Sequence, residues 1–414
     1  MRMALGRALR HRNYRLFFAG QGISLVGTWL TKFAIAFMAY KLTGSALMLG
    51  LVAFASNAPT PLFSPIAGVL IDRWNRQRVI IATQIFAGLQ SAALAVFAFA
   101  DAMTVWHLMI LGALQGVINA FDMPARQSFL REMIDDPGDL PNAIALNSAI
   151  VNIAKLAGPM FAAALVGLVG EAWCFAIDAS SYIAVVSSLV AIRVRPSLPK
   201  ERGSVLAQLR AGFRYVRQTP IVRDVLVQLA INSVLAGAYL QLLPAFAAEQ
   251  VGHGPYTLGI LMAAGGIGAL AGTIYLASRT TVEGLRHVVL QSRIILGVAM
   301  MLLVVATTTW LAAPVVFVMG FGLMVQLAGT NTIVQTVSDP AMLGRVMSMY
   351  AIANSGGVPL GAVIEGSIAE YAGAANTLAG AGLVVVLVTL IFRRNTSMTA
   401  SHDPSIDQRS SSAA

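Results

Sequence analysis

The feature that most constrains this chain is a series of twelve apolar runs, each long enough to cross a lipid bilayer. A helix needs about 20 apolar residues to span the hydrocarbon core. Inside a bilayer every backbone polar group must be satisfied internally, so runs of this length predict a bundle of membrane-spanning helices. The predicted spans are residues 16–40, 45–71, 79–100, 105–125, 142–170, 172–192, 221–248, 256–277, 286–308, 311–337, 345–371 and 374–392.

Composition narrows the class of protein further. Of the 414 residues, 57% are hydrophobic and only 11% are charged, whereas soluble domains carry about 25% charged residues. The net charge of +10 would suit a nucleic-acid partner, but most basic residues lie at the ends of apolar runs, so we expect none. The single cysteine, Cys174, excludes an internal disulfide and a multi-cysteine metal site, and we expect no cofactor. The first run is span-length and lacks a small-residue cleavage site, so we expect it to be retained.

The distribution of positive charge predicts the orientation of the spans. Five arginines lie in residues 1–15, seven basic residues lie in the polar insertion 193–220, and the outer turns carry only Lys41. By the positive-inside rule, both termini and the insertion are cytoplasmic. Of the basic residues, Lys32, Lys41 and Lys155 stand apart from this pattern.

The insertion also contains an amphipathic segment at residues 205–216. Leu206, Leu209, Phe213 and Val216 share one helical face. This segment is either a helix on the inner leaflet or a solvated linker helix.

A short internal repeat divides the chain into two halves. The string DPGDL at residues 136–140 precedes the fifth span, and DPAML at 339–343 precedes the eleventh, 203 residues later. This offset predicts a six-plus-six duplication. We expect a six-helix bundle at 1–192, a cytoplasmic linker at 193–220, a second six-helix bundle at 221–394 and a disordered tail at 395–414.

The hairpin between the second and third spans, residues 68–78, is called the motif loop below. It combines Gly68 and Asp72 with the arginines Arg73, Arg76 and Arg78. Gly68 allows two helix ends to approach closely, and Asp72 can pair with a neighbouring helix, which predicts a gate at the cytoplasmic face.

The motif loop resembles the signature between helices 2 and 3 of the major facilitator superfamily. Residues 13–21, 27–29, 120–127 and 142–148 resemble an exporter branch that includes enterobactin and macrolide efflux proteins, also called transmembrane secretion effectors. The resemblance implies an all-α membrane protein with twelve transmembrane helices in two pseudo-symmetric six-helix bundles. It also implies a multi-pass protein of the bacterial inner membrane.

Two short motifs within the spans bear on the direction of transport. Gly158 and Pro159 resemble the superfamily's antiporter motif in the fifth span. In the fourth span Gly112 stands where proton antiporters carry an arginine, so any proton relay must use carboxylates.

Charged residues inside spans are candidate functional residues, because burying a charge in hydrocarbon is costly unless it is paired. Four stand out: Lys32, Lys155, Asp178 and Glu365. They form either permanent salt bridges or pairs that exchange with protons and substrate. The remaining candidates are Trp29, Gln115, Asn119 and Asn331 along the pathway, and Asp122 with Arg126 at the inner gate.

Together these features favour a monomeric secondary active transporter, not an enzyme, whose partners are a small-molecule substrate, protons and membrane lipids. We expect it to export an amphipathic drug or siderophore-like molecule by proton antiport. A facilitator or importer of a metabolite, and a non-transporting membrane receptor, remain open as alternatives.

Overall fold

A computed structural model describes residues 6–134, 136–194, 205–252, 254–279, 284–340 and 342–400 of the chain, and these residues form helices and turns without a strand. The α-helices are α1 Arg12–Thr43, α2 Ala46–Asn57, α3 Pro59–Arg73, α4 Arg76–Phe99, α5 Val105–Phe129, α6 Leu140–Val169, α7 Glu171–Ala191, α8 Val205–Gln218, α9 Pro220–Leu235, α10 Tyr239–Phe246, α11 Pro255–Ala277, α12 Leu285–Leu302, α13 Thr309–Val337, α14 Leu343–Ala372 and α15 Ala374–Ala400.

These helices form the twelve spans expected from the sequence. Eleven segments of the described chain are long and apolar enough to cross a membrane. The twelfth is α14, which is less apolar because it is rich in glycine and polar residues but spans 30 residues within the bundle. Pairs α2–α3 and α9–α10 each make one span.

Two of the spans are broken, which differs from the expected continuous runs. The second span bends at Ala58, because Pro59 and Pro61 lack the N–H groups that would continue the hydrogen-bond ladder. The seventh breaks between Leu235 and Tyr239, where the N–H groups of Ala236 and Gly237 both bond the carbonyl of Asn232. Breaks of this kind place irregular backbone inside the bundle, where it is shielded from lipid.

The chain folds into two halves joined by α8. In the first half α1 packs on α6 and α7, and α4 packs on α5 and α7; in the second α11 packs on α13, α12 on α13 and α15, and α9 on α14. The predicted repeat corresponds to matching elements, because α6 and α14 are both 30 residues long and each begins at the leucine that ends its repeat string.

The two halves meet through two pairs of helices, α2 with α14 and α6 with α11. We call the end of the bundle that carries α8 the linker end and the opposite end the loop end. At the loop end Gly366 of α14 lies against Ala46 and Gly50 of α2, and Gly167 of α6 lies against Tyr256 of α11. At the linker end the positions where Gly68 and Gly356 would carry a Cβ are open. The structure is therefore closed at the loop end, and no glycine contact of this kind joins the halves at the linker end within the described chain.

Hydrogen bonds between the halves seal the loop end. Tyr40 donates to Glu249 over 3.1 Å. Glu370 of α14 accepts from the Ser45 hydroxyl over 2.8 Å and from the Leu47 N–H over 3.1 Å, at the first turn of α2. Lys41 pairs with Glu171 within the first half, at 2.7 Å. Glu171, Glu249 and Glu370 thus all make defined contacts at this closed end.

Two expectations, one for the C-terminal tail and one for α8, need correction or fall partly outside the described residues. Helix α15 continues to Ala400, so residues 395–400 of the expected disordered tail are helical; residues 401–414 lie outside the described part. Phe213 and Val216 are predicted to share one face of α8. In the structure Phe213 is exposed and Val216 is half-buried, so the two side chains have different surroundings. The side chains of Leu206 and Leu209 lie outside the described residues.

Candidate functional site

A narrow cleft of about 40 Å³ lies between the halves, midway along the bundle. The first half contributes Trp29, Lys155 and Pro159. The second half contributes Tyr239 and the flexible apolar side chains of Leu240, Met262, Leu323 and Met324. It also contributes bare backbone at Gly265, Gly266 and Gly320. A wall of methionine and leucine adapts to ligands of different shapes, whereas the lysine supplies a positive charge.

Lys32 stands beside this cleft. Its ammonium group lies 4.7 Å from the centre of the Trp29 ring, within the range of a cation–π contact. The Lys32 ammonium group interacts electrostatically with the positive charge of Lys155 and with the negative charge of Asp178. The side chain is exposed although it lies well inside α1, and it makes no ion pair within 4 Å among the described residues. Its ammonium is therefore available to an anionic group in the cleft.

Trp29 is positioned by helix α6. Gly158 lies directly against the Trp29 side chain, so a methyl group there would collide with it. Pro159 interrupts the hydrogen-bond ladder of α6 one residue later. Gly158 and Pro159, predicted as a motif, thus shape the contact between α6 and the indole ring.

Asp178 lies behind the cleft within the first half. It is 1% exposed, and one carboxylate oxygen accepts hydrogen bonds from Thr31 over 2.8 Å and from Ser91 over 2.6 Å. Gly27 of α1 lies against it, which allows α1 and α7 to approach closely. Asp178 therefore joins α1, α4 and α7, and its second oxygen has no hydrogen-bond donor within the described chain.

At the linker end of the first half, Asp122 pairs with Arg126 one turn later on α5. The carboxylate also accepts from Thr83 and Gln84 of α4, each at 2.9 Å. These bonds fix α4 to α5 within one half, so in this conformation Asp122 makes no contact across the gate.

The motif loop is anchored to the first half by Arg76 and by Gln77, whose side-chain amide donates to the carbonyls of Leu189 and Ile192 over 2.7 and 2.9 Å. Arg76 pairs with Glu132, which follows α5, whereas Arg73 and Arg78 are exposed. The close helix approach expected at Gly68 is absent, since no atom of the described chain lies within 4 Å of a Cβ built there. The side chain of Asp72 lies outside the described residues.

Glu365 is the most isolated of the predicted polar residues. It is 3% exposed, and neither carboxylate oxygen has a hydrogen-bond donor in the described part of the chain. It precedes Gly366, which makes the contact between α14 and α2. In the other candidates, Gln115 donates to Asn119 over 3.1 Å, and Asn331 accepts from Gln335.

Sequence reasoning missed one charge inside a span, Arg293 of α12. Its guanidinium group is 2% exposed and bonds Gln228 of α9 and Thr330 of α13. The sequence contained the signal for this residue, because Arg293 is the eighth residue of the predicted span 286–308. Arg293 lies within the second half, away from the lining residues of the cleft.

Twelve spans in two pseudo-symmetric halves, with a partly polar cleft between them that is closed at one end, define a membrane transporter of the major facilitator superfamily. The chain belongs to the transmembrane secretion effector family, whose profile matches residues 6–411. The expectations of family, fold class and non-enzymatic transport are thereby confirmed.

Individual relatives are distant but cover nearly the whole chain. The multidrug efflux pump Tap of Mycolicibacterium fortuitum is 26% identical and covers 90% of this chain and 91% of its own. The enterobactin exporter EntS of Escherichia coli O1:K1 is 24% identical, with 92% and 91% covered. Among solved structures, the POT family transporter PepTSo superposes with a TM-score of 0.72 at 12% identity, over 95% of this chain and 99% of that one, which shows the fold alone.

Proposed function

We propose that this protein exports an amphipathic small molecule with a negative or strongly polar group from the bacterial cytoplasm, by proton antiport and alternating access. The observation that carries the proposal is the cleft, where Trp29 and Lys155 face a pliable apolar wall and the Lys32 ammonium group lies 4.7 Å from the centre of the Trp29 ring. Such a site matches a ligand with an apolar body and an anionic group. Relatives named as a multidrug efflux pump and a siderophore exporter support this class of substrate.

The direction of opening is consistent with export. The basic residues near both ends of the chain favour a cytoplasmic linker end. In that orientation the sealed loop end faces the outside, so a substrate would reach the cleft from the cytoplasm, as export requires. The motif loop and the Asp122–Arg126 pair then lie at the cytoplasmic gate, where Asp72 would form its cross-gate pair only after the linker end closes.

Substrate selection by Lys32 can be tested with the substitution Lys32→Ala. We expect efflux of an anionic coumarin carboxylate from loaded cells to fall about tenfold, because the ammonium no longer offsets the ligand's charge, whereas efflux of the cation ethidium stays within about twofold. A tenfold loss corresponds to about 1.4 kcal/mol of binding. Transport of the two dyes is measured in parallel on cells expressing matched amounts of protein.

Lys41→Ala is the matched control, because Lys41 lies on the same helix but pairs with Glu171 at the loop end. It should transport both dyes as the unmodified protein does. Equal loss of both dyes in Lys32→Ala would reduce Lys32 to a structural charge and remove the proposed preference for anions.

A further inference from the structure

Helix α8 is held firmly against the linker end of the second half. Gly212 lies against the backbone of Arg345, where an added Cβ would come within 3.1 Å of the carbonyl oxygen. Tyr215 accepts a hydrogen bond from the N–H of Asp339 over 3.0 Å. Tyr215 and Val216 also pack against the apolar cluster that contains Val222 and Tyr350. One face of α8 is therefore committed to the bundle.

An adjacent face of α8 carries a stripe of basic residues. Arg210, Phe213, Arg214 and Arg217 follow the spacing that puts side chains on one side of a helix. All four are exposed. No hydrogen bond or ion pair involves the three guanidinium groups within the described chain. This stripe therefore presents three uncompensated positive charges around one aromatic ring.

The stripe forms one wall of an open groove of about 530 Å³, and Met349 and Ile352 of α14 form the other. We call these six residues the basic groove. Its two kinds of surface call for a ligand that combines an anionic head with an apolar chain. A free anion would leave Phe213, Met349 and Ile352 without contacts, and an apolar molecule would leave the arginines without a counter-charge.

We propose that the basic groove binds an anionic phospholipid of the leaflet at the linker end, with its phosphate on the arginines and an acyl chain along Phe213 and Ile352. The groove is distinct from the central cleft and shares no residue with it. Basic residues beside a membrane attract anionic headgroups electrostatically. A lipid seated here bridges the linker helix and α14, the helix that also closes the loop end.

The test compares lipids retained by the purified full-length protein in detergent, counted by native mass spectrometry. The probes are phosphatidylglycerol and phosphatidylcholine with identical acyl chains. The groove variant combines Arg210→Gln, Arg214→Gln and Arg217→Gln. The charge-matched control combines Arg131→Gln, Arg193→Gln and Arg286→Gln, three residues that are exposed at the linker end but outside the groove.

We expect the unmodified protein and the control to retain phosphatidylglycerol over phosphatidylcholine, and the groove variant to bind phosphatidylglycerol about ten- to a hundredfold more weakly. Phe213→Ala should weaken it about threefold through the lost acyl-chain contact. Because Phe213 is 64% exposed, we expect the Phe213→Ala variant to keep the fold. It therefore tests lipid binding in the groove even if the triple variant is unstable.

Two outcomes would overturn the proposal. Equal retention of phosphatidylglycerol by the groove variant and its control would show that binding depends on total charge and not on this groove. Displacement of phosphatidylglycerol by millimolar inorganic phosphate, with no effect of Phe213→Ala, would make the groove a site for soluble anions.

Discussion

At the scale of single residues, the buried charges differ in the partners that they have. Asp178 accepts two hydroxyl hydrogen bonds, and Arg293 bonds two neutral groups. Glu365 has no donor for either oxygen within the described chain. An ionised carboxylate in such a place costs several kcal/mol. Glu365 is thus the residue best placed to hold a proton while the loop end is closed.

The first prediction at this scale is that Glu365→Gln impairs the coupling of transport to protons but leaves the stability of the fold unchanged. Glutamine has nearly the shape of a protonated glutamate, so we expect the thermal stability of this variant to stay within about 1 kcal/mol. Efflux driven by an imposed proton gradient should fall at least about tenfold, whereas exchange of labelled for unlabelled substrate, which needs no net proton movement, should continue. Both are measured in proteoliposomes.

Asp224→Asn serves as the control for Glu365, because Asp224 pairs with its exposed neighbour Arg223 at the end of α9. It should leave both assays unchanged. Proton-driven efflux of normal rate in Glu365→Gln would exclude Glu365 as the coupling residue.

At the scale of helices, closure of the loop end depends on backbone contacts between α2 and α14. A Cβ added at Gly366 would lie 2.7 Å from the carbonyl oxygen of Ala46 and 3.3 Å from the Cα of Gly50. Contacts this close have no room for a side chain, and overpacking costs about 1–3 kcal/mol. Because the clash exists only when the loop end is closed, its cost falls on one conformation.

Gly366→Val is therefore expected to shift the protein towards the conformation that is closed at the linker end. The readout is a cysteine introduced as Gly356→Cys, whose Cβ position is open in this structure. Its labelling by a membrane-impermeant maleimide in everted vesicles should slow at least about fivefold. Cys174 is fully buried and should not react.

Gly380→Val is the matched control for this experiment, because no atom lies within 4 Å of a Cβ at Gly380. Its labelling rate should equal that of the parent protein. Unchanged labelling in Gly366→Val would mean that the α2–α14 contact does not control access at the opposite end.

At the scale of the whole molecule, the arrangement of twelve spans makes a prediction about topology. Reporter fusions at residue 200 and at the C-terminus should both report the cytoplasm, because the basic residues cluster beside them. A fusion at Gly44, between α1 and α2, should report the opposite side. An external signal from either of the first two fusions would contradict the proposed orientation.

Much of this architecture could be predicted from the sequence because it depends on local properties. Apolar run length predicts a span, and an arginine or a turn residue predicts its end. The contact between Gly366 and Gly50 depends on residues distant in the chain, so local pattern does not contain it. The cleft was predicted only as a set of polar residues, of which Trp29 and Lys155 line it while Asp178 lies behind it.

The hydrogen bond from the Leu47 N–H to Glu370 makes the conformational cycle observable at one backbone atom. The first amides of a helix have no partner within the helix, and here the opposite half supplies that partner for α2. Whenever the halves separate at the loop end, this amide becomes accessible to water and can exchange its hydrogen for deuterium. Its exchange rate therefore reports how often the closed end opens, without a label and without a substrate.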